Sequence, residues 1–319
     1  MGDDDVDLDL LRESAREFLA ERGERDSVKE LAAMDWTGML VDEALGGVGW
    51  RPVEATVIAE ELGRSGDSSS WHGSVLSAAA MSTAPDEIRD HWLPLMLDGT
   101  ASAACTIAAG VVRVVRGNNA DVIVALGRNG IHVIQPSEVQ KCWQDEDLLD
   151  VNRPAWCIDI SGAPSTLIGS PERAEQLTAV ARLLVSADSI GAASMTLARL
   201  TAYLKERVAF GVPIASFQAV QHRLVDLLVF EVKARAVVMK AARAVASQDM
   251  AAVALSAVAH AFVAAKATAA VDECMQLSGG IGFTWEYPLH YELRRVFTNA
   301  QLLGTVRSSR ALLAEVSGW

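Results

Sequence analysis

Four cysteines in 319 residues are too few and too scattered to staple or metallate a fold. Cys105, Cys142, Cys157 and Cys274 form no CxxC pair and have no histidine at ligand spacing, which argues against a disulfide framework or a metal site and fits a reducing cytoplasm. Positive charge is also scarce. The 28 Lys and Arg stand against 41 Asp and Glu, a net charge of −13, whereas a nucleic-acid-binding face needs clustered cations. No apolar run approaches the ~20 residues that span a bilayer, and Asp3, Asp4 and Asp5 stand where a leader would carry positive charge. The expectation is a soluble cytoplasmic chain with no nucleic-acid partner and no membrane span. Half of its residues are hydrophobic, so disorder is excluded and the length suffices for two or three domains with a sizeable core.

What is present falls into three stretches. Residues 1–100 carry apolar positions at helical spacing, as in Leu8, Leu11, Ala15, Phe18 and Leu19, interrupted by the glycine loop Gly46-Gly47-Val48-Gly49 and by residues 63–70. Residues 101–168 change to short β-rich runs, Val111–Val115, Val122–Leu126 and Ile131–Ile134, separated by Gly117-Asn118-Asn119 and Gly127-Arg128-Asn129-Gly130; this predicts a small sheet of three or four strands. Residues 169–319 return to helices, expected over 172–209, 217–247, 250–277 and 288–316. Helices of this length span about 40 Å and suit an antiparallel four-helix bundle. The fold class is therefore mainly α with a small β domain.

Single residues that could carry chemistry have bland readings. His222 reads as a surface or interfacial residue and His260, in an alanine-rich helix, as a packed one. The Gly46–Gly49 loop follows no strand and precedes no Lys-Ser/Thr, so it is no phosphate loop. Trp36, Trp71, Trp92 and Trp143 read as packing residues.

Two longer segments are more specific. Glu206-Arg207-Val208-Ala209-Phe210-Gly211-Val212-Pro213-Ile214, continuing to Gln218 and Gln221, and Gln276-Leu277-Ser278-Gly279-Gly280-Ile281-Gly282-Phe283, continuing to Tyr287-Pro288, together resemble the acyl-CoA dehydrogenase family. Leu45–Gly49, Glu60-Glu61-Leu62-Gly63-Arg64 and His91-Trp92-Leu93-Pro94 extend the resemblance over nearly the whole chain. It implies that family's architecture: an N-terminal helical domain, a reduced middle β domain and a C-terminal four-helix bundle.

The family's chemistry needs a carboxylate to remove the α proton of a CoA thioester while FAD accepts hydride from the β carbon. Counted without a gap from Tyr287-Pro288, the position of the usual base glutamate is Leu303, in Gln301-Leu302-Leu303-Gly304-Thr305; the alternative base position on the first long helix is Ala181. Neither side chain can take a proton. The family's Thr-Glu-Pro-x-Ala-Gly-Ser-Asp flavin motif is shortened here to Cys105-Thr106-Ile107-Ala108-Ala109-Gly110, and its Trp-Ile-Thr-Asn-Gly motif reads Arg113-Val114-Val115-Arg116-Gly117. By the same resemblance, Arg207, Phe210, Gln218, Gln276, Gly279 and Gly280 are the residues that contact the ADP part of a neighbouring subunit's FAD.

The resemblance thus implies a short degenerate subunit of a heteromeric α2β2 acyl-CoA dehydrogenase like those of actinobacterial steroid catabolism. It would share FAD with a full-length catalytic subunit, act on a steroid-derived (cholesterol-derived) acyl-CoA, and pass electrons to an electron-transfer flavoprotein or similar acceptor. Two alternatives are a self-sufficient homomer with a displaced acidic base, Glu286 or Glu292, and a flavin-free helical scaffold.

Overall fold

The computed structural model describes residues 7–22, 27–107, 110–116, 119–143 and 149–318. The acidic start at Asp3–Asp5, Ala108-Ala109 of the shortened flavin motif and Gly117-Asn118 lie outside the described residues.

Five helices open the chain: α1 (Leu8–Glu21), α2 (Lys29–Ala32), α3 (Pro52–Ser65), α4 (Trp71–Met81) and α5 (Asp86–Leu97). Local chemistry sets their ends. The Asp7 carboxylate caps α1 by accepting from the Asp9 and Leu10 amides. Pro52 supplies a preset φ at the first turn of α3, and Gly66, at φ 71°, closes it in a left-handed conformation.

Seven strands follow, and they form two sheets rather than the one small sheet expected. β1 (Ala103–Ile107), β3 (Val122–Gly127), β4 (Gly130–Ile134) and β7 (Ser165–Gly169) pair in the order β1-β3-β4-β7, with β1 parallel to β3. β2 (Val111–Val115), β6 (Ala155–Asp159) and β5 (Gln140–Trp143) form the second sheet. The period-two pattern of β3 explains the layering. Val122, Val124 and Leu126 join the core shared with the helices, while Ile123 and Ala125 face a second core with Val112, Val114 and Ile158.

The remainder is helical: α6 (Pro171–Glu206), α7 (Gln218–Ala246), α8 (Ala252–Ser278), α9 (Leu289–Leu302) and α10 (Val306–Val316). Two expected helices are corrected. The first ends at Glu206 instead of continuing to residue 209, because β8 (Val208–Ala209) and β9 (Val212–Pro213) pair as a hairpin. The last breaks at Leu303-Gly304, where Gly304 adopts φ 103° and Thr305 starts α10 with a reciprocal capping box to Ser308.

The N-terminal unit and the bundle meet most closely where α3 crosses α6. A Cβ on Gly63 would fall 2.0 Å from the Asp188 carbonyl oxygen, and one on Gly191 would fall 1.8 Å from that of Glu60, so only glycine permits this approach. Glu60 and Glu61 of the same segment are buried ion-pair anchors. Glu61 meets Arg16 at 2.7 Å and Arg12 at 2.9 Å, and Glu60 meets Arg235 at 2.7 Å, which ties α1 and α7 to α3.

Two helical segments, 171–206 and 252–283, are long and apolar enough by composition alone to cross a membrane, which corrects the expectation that none approaches that length. In the first, 83% of the apolar window is buried inside the protein, the pattern of a core helix.

Candidate functional site

The segments that depart from the expected flavin and base motifs converge in space. Cys105 from β1, Val114 and Val115 from β2, and Leu302-Leu303 at the end of α9 line one cavity, together with Ser69, His72 and Arg153. Its volume is about 30 Å³, room for roughly one water molecule. Leu303 is 5% exposed, and among the described residues no carboxylate lines the cavity. Ala181 is fully buried in the core of α6. Glu286 is exposed; Glu292 is buried, ion-pairs with Arg199 at 3.2 Å, and has its carboxyl pushed up by burial against the pull of Arg295 and Arg199. Neither lines the cavity beside Leu303.

A buried charge network adjoins the cavity, and sequence reading did not identify it. Asp188 on α6 accepts from Arg295 Nε at 2.8 Å and from Asn299 Nδ2 at 2.6 Å. Arg153, in the segment before β6, bonds Asp150 at 2.8 Å and the Asn299 side-chain oxygen at 2.8 Å. Arg295 reaches the Asp67 carbonyl, and Asp67 pairs with Arg22. Burial alone would raise the Asp188 carboxyl; Arg295 and Arg153 outweigh it and hold the group well below the usual carboxylate range. His72 lies 3.6 Å from Asp188, yet burial dominates and lowers its pKa to about 4. The only sequence sign of this network is a charged residue, Asp188, inside the apolar run of α6.

The other predicted residues occupy the far end of the bundle. Both segments sit over one apolar cluster, in which Leu200, Leu204, Cys274, Met275 and Leu289 are buried and Tyr203 and Tyr287 are packed against it. Arg223 and Glu273 form an ion pair that ties the start of α7 to the end of α8. Arg207, Phe210, Gln218, Gln276, Gly279 and Gly280 are all exposed. Phe210 is 96% exposed and occupies the left-handed region at φ 54° in the two-residue turn between β8 and β9. Gly279 has φ 66° and ψ −147°, a conformation closed to other residues, and a Cβ on Gly279 or Gly280 would meet nothing within 4 Å. Gly279-Gly280 is thus a stretch of open backbone after α8.

His222 is exposed, and His260 is packed with Nδ1 2.9 Å from the Ser309 hydroxyl. Trp36 and Trp71 are buried and linked by a 3.1 Å bond from the Trp71 indole to the Trp36 carbonyl. Among the described residues no group of three or more His, Cys, Asp or Glu could hold a metal ion.

The order of helical unit, two-sheet middle and long-helix bundle defines an acyl-CoA dehydrogenase fold. Residues 7–100 match the family model for the acyl-CoA dehydrogenase N-terminal domain and residues 172–317 that for the C-terminal domain. The chain is 33% identical to acyl-CoA dehydrogenase IpdE2 of Mycolicibacterium smegmatis over 87% of its own length and 83% of that protein's. It belongs to the acyl-CoA dehydrogenase family, oxidoreductases that act on the CH–CH bond of acyl-CoA thioesters. Solved structures share the fold at low identity. A Tcur3481-Tcur3483 steroid ACAD variant superposes with a TM-score of 0.83 at 22% identity, covering 98% of this chain and 97% of that one. The ChsE4-ChsE5 complex from Mycobacterium tuberculosis gives 0.81 at 19% identity, covering 99% of each chain.

The ADP end of the family's FAD meets suitable residues in this chain. The exposed guanidinium of Arg207, the amides of Gln218 and Gln276 and the bare backbone at Gly279-Gly280 suit a pyrophosphate and its nucleoside. The cavity beside Leu303 is about 30 Å³, while an open cleft of about 1100 Å³ borders the same segments at Ile107 and Gly304.

Proposed function

We propose that this chain is the non-catalytic subunit of a heteromeric acyl-CoA dehydrogenase, paired as α2β2 with a full-length homologue that carries the base and the flavin-ring site. The observation that carries this reading is the apolar base position: Leu303 is 5% exposed beside a cavity that no carboxylate among the described residues lines. Bound FAD supplies the family's hydride acceptor. This chain's part is to hold the ADP end of the partner's cofactor: Arg207 neutralises pyrophosphate charge, Gln218 and Gln276 exchange hydrogen bonds with it, Phe210 covers it, and Gly279-Gly280 allow its approach. Leu303 and Ala181 leave this chain with no proton acceptor at either base position. The substrate we assign is a steroid-derived CoA thioester, on the lead of the family resemblance and of the steroid ACAD that shares the fold. An electron-transfer flavoprotein or a similar protein is the acceptor, and the cytoplasm the site of action.

Flavin stoichiometry tests the reading. The chain purified alone is expected to hold little FAD, and the complex with its partner about half the flavin per chain of a homotetramer in which every subunit binds one. Full occupancy and turnover by the chain as a homomer would overturn the assignment. Within the complex, Arg207→Ala should accelerate FAD loss on dilution; unchanged retention removes Arg207 from the site.

A further inference from the structure

Helix α7 has two apolar faces. Leu227, Ala234, Val238 and Ala241 are buried on the side that meets the bundle. Half a turn away, Val225, Leu228, Val229 and Val232 are between 41% and 56% exposed, at the i, i+3, i+4 and i+7 spacing of a helix-helix seam. The seam is confined to the middle of the helix. Exposed Gln218, Gln221 and His222 precede it and exposed Lys240 and Arg243 follow it, so an apolar centre has a polar rim. The neighbouring α8 is also left open: in its segment, 252–283, 33% of the apolar window is buried, against 83% in α6. An apolar face on the outside of a bundle marks a contact surface.

Charge says what covers it. Arg223, Glu231 and Arg235 of α7 are engaged in ion pairs within the chain, whereas among the described residues Asp226 and Lys233 have none. Both are exposed on one flank of the seam, because seven residues are close to two full turns. We propose that α7 packs antiparallel against α7 of a second copy of this chain, about a two-fold axis that runs between the two helices at the level of residues 229 and 230. Such an axis reverses the helix but keeps the flank on its own side of the seam. Asp226 lies as far before the axis as Lys233 lies after it, so each copy's Asp226 meets the other's Lys233 and the pair forms twice. A parallel pairing would put the two flanks on opposite sides of the seam, with no charge contact. A face that is its own complement is the property of an isologous contact. Gln218 lies about 17 Å along the helix from the axis, well clear of the centre of the contact. The contact goes beyond the cofactor reading: it needs only two copies of the chain, and in an α2β2 assembly it joins the two halves.

Sedimentation equilibrium of the full chain alone tests the proposal. The wild type is expected to be a dimer that Leu228→Asp converts to monomer, with an unchanged far-ultraviolet circular dichroism spectrum because that side chain is half exposed. Asp226→Lys and Lys233→Asp, made singly, each turn two attractions into two repulsions and should weaken the dimer about tenfold in low salt. Combined, they exchange the charges and should restore wild-type association, which a face that bound anything else would not do. The flavin count tests the cofactor reading separately: with the catalytic subunit present, Leu228→Asp should split the assembly into αβ pairs that keep their flavin. A monomeric wild type, single reversals without effect, or a double reversal that fails to restore the dimer would overturn the proposal. A Leu228→Asp chain that no longer binds the catalytic subunit would also overturn it, by giving the face to that subunit.

Discussion

Arg295 donates from Nε to Oδ1 of Asp188 across 2.8 Å, joining α9 to α6 beside the small cavity of Leu303. Asp188 has no solvent exposure and serves Arg295, Asn299 and, at 3.7 Å, Arg153. The network crosses from the N-terminal helices through the segment before β6 into the bundle, so its loss loosens three units at once.

Asp188→Asn is therefore expected to destabilise the chain by about 3–5 kcal/mol, because it strands the buried Arg295 guanidinium, while Arg153 keeps Asp150. Urea unfolding of the chain measures it. A loss under 1 kcal/mol would mean that water already solvates Arg295.

Much of the architecture was legible in the chain, and the reasons are local. The β-rich run Val122–Leu126 marked β3, and Gly211-Val212-Pro213 marked a break after α6. The hairpin at Val208–Pro213 was hidden because its strands are two residues long, too short for a period to register. The break at Leu303 was hidden because apolar spacing runs through it, with only Gly304 and the Thr305–Ser308 box as signals. β5, β6 and β7 went unread because few β-branched residues mark them. The charge network had no local signature at all: Asp188 and Arg295 are 107 residues apart, and nothing in either neighbourhood specifies the other. The motif residues were legible by resemblance.

Acid should weaken the chain before its carboxylates protonate. Burial holds both His72 and His260 at a pKa of about 4, below the ~6.5 of an unfolded chain, so between these values the unfolded state takes up protons that the native state refuses. Their contribution is complete above pH 6.5 and is lost as pH falls through 4. The expected loss is about 2 kcal/mol per histidine by pH 5. Asp188, whose lowered pKa favours its charged carboxylate, keeps its contribution over this window. Urea midpoints at pH 7 and pH 5 should differ accordingly, and by less in His260→Gln; an unchanged pH slope in that variant refutes the assignment for His260.

Restoring an acid at the base position should not restore catalysis. Leu303→Glu places a carboxylate at a 5% exposed site beside a 30 Å³ cavity. Burying that group costs a few kcal/mol if it stays unpaired, and the cavity beside it holds roughly one water. The variant is expected to melt lower and to show no acyl-CoA oxidation with an artificial electron acceptor when purified alone. Turnover by this variant would show that the cavity opens in solution, and would favour a chain with its own flavin.

Phe210 offers the sharpest separation of stability from function. An aromatic at φ 54° and 96% exposure bears left-handed strain, on the order of 1 kcal/mol, without recovering it by burial. Asparagine tolerates that conformation and suits the turn formed by residues 210 and 211. In the isolated chain, Phe210→Asn should raise stability by about 1 kcal/mol, read from the urea midpoint. In the complex, the same variant should release FAD faster, because the exposed ring is what the proposed cofactor contact uses. A variant that is less stable alone would mean that the edge-to-face contact with Phe217, at 6.3 Å, already repays the strain within the chain. A variant that is more stable alone and equally retentive of flavin would leave the strained ring without a role at the cofactor.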